Sequence, residues 1–238
     1  MPIVKMGSRL MYNSSEIKNL TNSLGADLCG ISPVVRFNAA PEGFHPQDIY
    51  QQCKSVIVFA KKLPSEVILA QSCVPYTRIM DISMLEIDQF SMRLCLSLEE
   101  RGIGAIPIPA DDPYEYWEAE RTHGRGILSL RHAGYFAGLG VLGRNTLLMN
   151  AKYGNMISLG AVLVNVEVKA DPIVNNIGCP TDCRICIEKC PQKALDGATV
   201  DQKLCRPLST FRTEKGYTLL KCSLCRQICP KRLGFGKG

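Results

Sequence analysis

The sequence predicts a mixed α/β (α+β) domain over residues 1–170, followed by a small cysteine-rich domain over residues 171–238. Three observations carry this division. Helical and alternating apolar patterns follow one another through the first part. Eight of the chain's twelve cysteines lie between Cys179 and Cys229. The charge divides at the same place: residues 1–170 carry 16 basic and 16 acidic residues, whereas residues 171–238 carry 12 and 6. The chain has 238 residues, of which 46% are hydrophobic and 21% charged, so it can bury a sizeable core. No run of eighteen apolar residues occurs, so no membrane span is expected. The start, "MPIVKMGSRLMYNSSE", has no apolar leader core and no twin-arginine pair, which predicts a cytoplasmic protein.

Asn13, with Glu16 three residues later, opens a helix that puts Ile17, Leu20 and Leu24 on one face, and Gly25 ends it. "ADLCGISP" reads as a short strand stopped by Pro33, and Ser55 to Ala60 as a buried strand. Residues 84–101 place Ile87, Phe90, Leu94 and Leu98 at helical spacing before Gly102. "GIGAIPIPADDP" is a strand running into a turn, and "ILSLRHAGYFAGLG" a helix entering a glycine-rich loop. In "ISLGAVLVNVEV", Val162, Val164, Val166 and Val168 point one way. "KADPIVNNIG" is the connector to the second domain.

The cysteines form two runs, Cys179-x₃-Cys183-x₂-Cys186-x₃-Cys190-Pro191 and Cys222-x₂-Cys225-x₃-Cys229-Pro230, with Cys205 between them. Short Cys-x₂-Cys loops turn successive thiolates toward one iron cube, and the Cys-Pro ending sends the last thiolate to the other cube. This ferredoxin-like crossing predicts one 4Fe–4S cluster on Cys179, Cys183, Cys186 and Cys229. It predicts a second on Cys190, Cys205, Cys222 and Cys225. The spacing after Cys179 is one residue longer than the bacterial pattern, a departure that bears on that ligand. Two Cys₄ zinc sites would use the same eight thiolates, but paired Cys-Pro endings are not a zinc habit. Two loaded clusters would lower the tail's +6 to about +2, so the basic excess does not require a bound polyanion. Cys29, Cys53, Cys73 and Cys95 read as small buried hydrophobes.

Gly138-x-Gly140-x-x-Gly143 has the spacing of a dinucleotide loop, but a helical pattern precedes it where a strand should. A glycine-rich turn that packs a helix on a sheet is the plainer reading.

Several segments in order resemble the cobalamin-dependent epoxyqueuosine reductases and, more distantly, the reductive dehalogenases. They are "IKNLTNSLGADLCGISP", "CKSVIVFAKKLP", "FAGLGVLGRNTLL", "YGNMISLGAVLVNVEV", "DQKLCRPLST" and the two cysteine runs. The resemblance implies a nitroreductase-like domain that holds a base-off corrinoid, fed with electrons by two 4Fe–4S clusters in the appended ferredoxin-like domain. It implies that the glycines let backbone approach the corrin or its nucleotide tail. Gly138, Gly140, Gly143, Arg144 and Asn145 fall in the family pattern "GLGWxGKNT", with Val141 for the aromatic residue and Arg144 for lysine. Leu142, Tyr153, Gly154, Ser158 and Leu159 lie in matching segments. Arg144 can pair with a phosphate or be an ordinary surface arginine.

Two departures stand out. The family's C-terminal helical repeats, which help hold tRNA, are absent here, as the chain stops eight residues after Pro230; this counts against a tRNA partner. The family's catalytic aspartate position falls on Gly124, leaving His123 and Asp112 as the nearest proton donors, with Tyr114 and Tyr116 close by. The leading reading is an oxidoreductase that passes electrons through two clusters to cobalamin for a small-molecule substrate, served by a donor such as ferredoxin or flavodoxin. The alternatives are an electron-transfer protein serving a partner, and a flavin-binding reductase.

Overall fold

The computed structural model describes residues 3–6, 9–121 and 123–236. Its centre is a four-stranded sheet in the order Leu28–Pro33, Ser55–Lys62, Ile157–Val164, Ala105–Ile108. Every pairing in it is antiparallel, with Ile31 opposite Ile57, Val162 opposite Ile57 and Ala161 opposite Ile108. The helical connections therefore do not build a parallel sheet, and the α+β description applies.

Alternation along the Ser55–Lys62 strand sends Ile57 and Phe59 to one face and Val56, Val58 and Ala60 to the other, all fully buried. The first face packs on Ile17 of the helix Ser14–Ser23 and on Ile87, Phe90, Leu94 and Leu98 of the helix Val74–Glu99. The rings of Phe59 and Phe90 lie 4.3 Å apart there. Truncating Phe90 to alanine would cost about 3–5 kcal/mol at such a site. The second face is covered by Ala133 and Ala137, at the helix Leu130–Phe136, and by Phe37 and Leu128.

Asn13 caps the first helix as its sequence implies, since its side chain accepts the Ser15 N–H at 3.0 Å. The long helix ends at Glu99, shortly before the expected stop at Gly102, and begins at Val74, ten residues before the expected start. Pro75 sits in the first turn, where its missing N–H costs nothing, so it starts the helix rather than breaking it. Val162, Val164, Val166 and Val168 do share one core, although the strand is interrupted after Val164. Val168 then pairs with Tyr12 in a small second sheet.

From residue 169 to 184 there is no helix or strand. This stretch is tied down by Asp171. Its carboxylate accepts the Ile31 N–H at 2.9 Å and pairs with Lys18, and its carbonyl accepts from Arg36 at 2.8 Å. Beyond it, two one-turn helices, Ile185–Glu188 and Leu224–Gln227, pack together and carry Cys186 and Cys225. The helix Gln202–Ser209 carries Cys205. The hairpin of Thr210–Arg212 and Thr218–Leu220 reaches back to the long helix, where the Leu220 N–H donates to Thr77 Oγ1 at 2.9 Å.

Candidate functional site

Three of the first-run cysteines and Cys229 come together although some forty residues separate Cys190 from Cys229. The Cys229 thiol is pushed up by burial and, further, by the neighbouring Cys179, Cys186 and Cys183. Burial raises Cys186 too, with Cys179 and Cys183 adding to the effect. A second group surrounds Cys225, which burial pushes up to about 11 despite the opposing pull of Arg226; Cys205, Cys222 and Cys186 are its thiol neighbours. Cys190 accepts the Ala194 N–H at 3.4 Å. Because Cys186 also influences Cys225, the two groups adjoin. Among the described residues no three His, Cys, Asp or Glu side chains converge on one point where a single ion would sit.

The glycine-rich loop faces this cysteine region. The Arg144 N–H donates to Cys179 Sγ at 3.4 Å, and its guanidinium donates to the carbonyls of Cys183 and Thr181, each at 2.6 Å. Asn145 Nδ2 donates to the Cys225 carbonyl at 3.1 Å. Arg144 thus fastens the first cysteine run to the sheet domain.

The glycines make close approaches, but to protein. A Cβ on Gly138 would lie 2.3 Å from the Pro172 carbonyl oxygen, and one on Gly140 2.2 Å from that of Met149. At Gly143 it would meet Asn145 Oδ1 at 2.7 Å. At Gly154, where φ is +58°, it would lie 2.2 Å from the carbonyl oxygens of both Lys231 and Arg232. At Gly138, Gly140 and Gly154 the space a Cβ would take is bordered by protein backbone. Leu142 is partly exposed on the short strand Val141–Leu142, and Tyr153 packs on the second core with Lys152 over its ring.

Ser158 and Leu159 line a cleft of about 360 Å³ at the junction of the sheet domain and the cysteine region. Its apolar wall is Met80, Met84, Leu130, Leu147, Leu148, Ile157 and Leu159; its polar wall includes Asp111, Arg131, Thr146, Asn155 and Arg226. Arg226, next to Cys225, is buried and donates to the Asn155 carbonyl, while Asn155 Nδ2 donates back to the Arg226 carbonyl at 3.3 Å. Asn155 Oδ1 is buried without a hydrogen-bond partner among the described residues. Thr146 holds φ at +64°, a conformation β-branched residues rarely adopt, and its carbonyl accepts from Arg131 at 3.2 Å.

Neither expected proton donor lies in this wall. Asp112 is exposed, and His123 sits on the hairpin Tyr116–Glu118/His123–Arg125, with its ring edge-on to Tyr116 at 6.4 Å. Asp111, itself exposed, lines the cleft instead. It accepts the Tyr114 hydroxyl, and burial together with Asp111 pushes the Tyr114 phenol up to about 12. A one-residue difference at a turn leaves no trace in sequence spacing. Among the scattered cysteines, Cys53 and Cys95 are buried, and burial raises them to about 11 and about 12. Cys29 packs against the first core and is raised to about 11. Cys73 departs from the expectation, being half-buried in the wall of a 230 Å³ cavity that it shares with Cys222.

No family model matches the chain. An epoxyqueuosine reductase of Staphylococcus aureus is 35% identical over 121 residues, which is 46% of this chain and 31% of that protein. The chain therefore spans about a third of the length of that relative. The epoxyqueuosine reductase structure from Streptococcus thermophilus superposes with a TM-score of 0.64 at 20% identity, covering 93% of this chain and 66% of that one. An epoxyqueuosine reductase solved with an epoxyqueuosine-modified tRNA stem loop gives 0.63 at 15%, covering 93% and 66%. A reductive dehalogenase structure bearing on B12-dependent dehalogenation gives 0.61 at 17%, covering 87% and 31%. Over part of its length the chain is similar in sequence to epoxyqueuosine reductases, and it shares its fold with solved epoxyqueuosine reductases and with a reductive dehalogenase.

Proposed function

We propose that the chain is an oxidoreductase that holds two 4Fe–4S clusters and a corrinoid and reduces a small organic substrate. The observation that carries this reading is the meeting of Cys229 with Cys179, Cys183 and Cys186, beside a cleft whose wall includes the neighbour of Cys225. Buried thiols with raised pKa values stay protonated on their own, and a cationic iron core is what makes four adjacent thiolates tolerable. The donor set thus fits iron–sulfur cores. The partition is Cys179, Cys183, Cys186 and Cys229 on one cluster, and Cys190, Cys205, Cys222 and Cys225 on the other. The domain boundary belongs at residue 171, where Asp171 anchors the connector.

The cleft fits one face of a corrin rather than a whole cobalamin, since about 360 Å³ is near the small end of ligand pockets. Its methionines and leucines suit the ring, and the unpartnered Asn155 Oδ1 is an acceptor for an amide N–H on the ring's edge. A bound corrinoid supplies low-potential cobalt chemistry to the substrate. Leu159, Ile157 and Met84 exclude water from that contact. Asp111, which accepts the Tyr114 hydroxyl at the cleft's mouth, takes the place first expected of Asp112 or His123. Leu142, Tyr153 and the loop glycines act by shaping the loop. The substrate of the tRNA-bound neighbour is one candidate, and a small molecule is the one this cleft favours. Electrons come from an external donor such as ferredoxin or flavodoxin.

Anaerobic purification of the protein tests the reading. Eight irons per chain, a broad visible absorption bleached by dithionite, and retention of added cobinamide are the expected results. Ser158→Trp fills the cleft and is expected to lose the corrinoid while keeping the iron. Zinc in place of iron, or a bound flavin and no corrinoid retention, refutes it.

A further inference from the structure

The 26-residue helix Val74–Glu99 buries one face and leaves a second apolar face uncovered. Ile82, Leu85, Met92 and Leu96 are 44%, 58%, 55% and 53% exposed, and none belongs to the core. With the exposed Gln89 they recur at steps of three, four, three and four, which is the spacing of a seam between two supercoiled helices. A solvated helix face normally carries polar residues there.

We infer that this stripe is the contact face of a homodimer, in which the same helix of a second chain packs antiparallel about an axis through Gln89. The charges select the partner and its direction. In the antiparallel register Ile82 faces Leu96 and Leu85 faces Met92, so the stripe complements itself. Arg78, one turn before Ile82, then meets Glu99 and Glu100 of the other chain, both exposed in the protomer. A parallel pair would set Arg78 on Arg78 and Glu99 on Glu99. The stripe extends about 21 Å along a helix about 39 Å long, enough for three turns of contact. Met80 and Met84 of the same helix line the cleft, but none of the four stripe residues does. The dimer therefore does not depend on the redox reading above.

Sedimentation equilibrium of the iron-loaded protein over a wide concentration range tests this. The expected result is a two-chain mass that falls to one chain in Leu85→Glu/Met92→Glu at unchanged helix and iron content. The exposed charges give a second test that does not touch packing. Arg78→Glu, or Glu99→Arg with Glu100→Arg, is expected to weaken association roughly tenfold, and the combined variant to restore it. A one-chain mass for the parent at every concentration overturns the inference. So does flotation of a monomer with vesicles of phosphatidylglycerol and phosphatidylcholine, which would assign the stripe to a membrane surface. Loss of association without rescue in the combined charge variant would overturn the antiparallel register.

Discussion

Replacing Gly154 with alanine probes the joint between the sheet domain and the cysteine region. Two penalties act together. An L-residue at φ +58° costs about 1–2 kcal/mol relative to glycine. The added Cβ lies 2.2 Å from two backbone carbonyl oxygens, those of Lys231 and Arg232, which no side-chain rotation can relieve. Forcing the backbone apart by such overpacking costs about 1–3 kcal/mol more. Gly43 separates the two effects, since its φ is +82° but nothing lies within 4 Å of its would-be Cβ. The loss of unfolded-state freedom is the same in both alanine variants and cancels between them. Gly154→Ala should therefore be less stable than Gly43→Ala by about 1–3 kcal/mol, or about 2–12 °C in Tm for a chain of this size. Thermal unfolding of the iron-loaded protein, followed by the visible absorption and by far-UV circular dichroism, measures both. Because Lys231 and Arg232 lie two and three residues after Cys229, the cluster signal should be lost at or before the helix signal. Equal midpoints for the two variants, with iron retained equally, would refute the claim that the tail's backbone seats on Gly154.

Arg144→Ala removes two charge-assisted bonds to the Cys183 and Thr181 carbonyls, worth about 1.5–3 kcal/mol each at most; release of iron to a chelator should accelerate at least tenfold. Cys229→Ser and Cys205→Ser should each delete one cluster and leave the other, and electron paramagnetic resonance of the reduced proteins should give two different remaining signals. Asp111→Asn should lower substrate reduction sharply without changing iron content or corrinoid retention, whereas Asp112→Asn should leave all three unchanged. His132 has its pKa lowered by burial and by Arg131, so its neutral form is favoured in the folded state. The unfolded chain then binds the extra proton first. Stability should be full above the ordinary histidine pKa and decline as pH falls from there through the folded value. His132→Gln should flatten that decline in a series of denaturant midpoints.

The primary structure alone determined the pieces whose cause is local. Asn13 caps its helix because its side chain reaches an N–H two residues on. Gly102 ends the long helix because φ there is +75°. The Ser55–Lys62 strand announces itself as a buried apolar run and the Ile157–Val164 strand by its alternating valines. The cysteine runs, too, are legible, because a short loop between thiols leaves few ways to arrange them. What lay beyond the sequence was everything decided by what a residue faces after the chain folds back. Glycine spacing says only that a Cβ is intolerable. Tertiary packing decided that the neighbour at Gly154 is the carbonyl of Arg232 and at Gly138 that of Pro172. Arg144 reads identically whether it grips a phosphate or two carbonyls. Asp111 and Asp112 are adjacent in sequence, and only the first lines the cleft. Pro75 breaks a helix or begins one according to whether the preceding turn exists. In each case the residue type fixes the chemistry available, and only long-range packing supplies the partner that uses it.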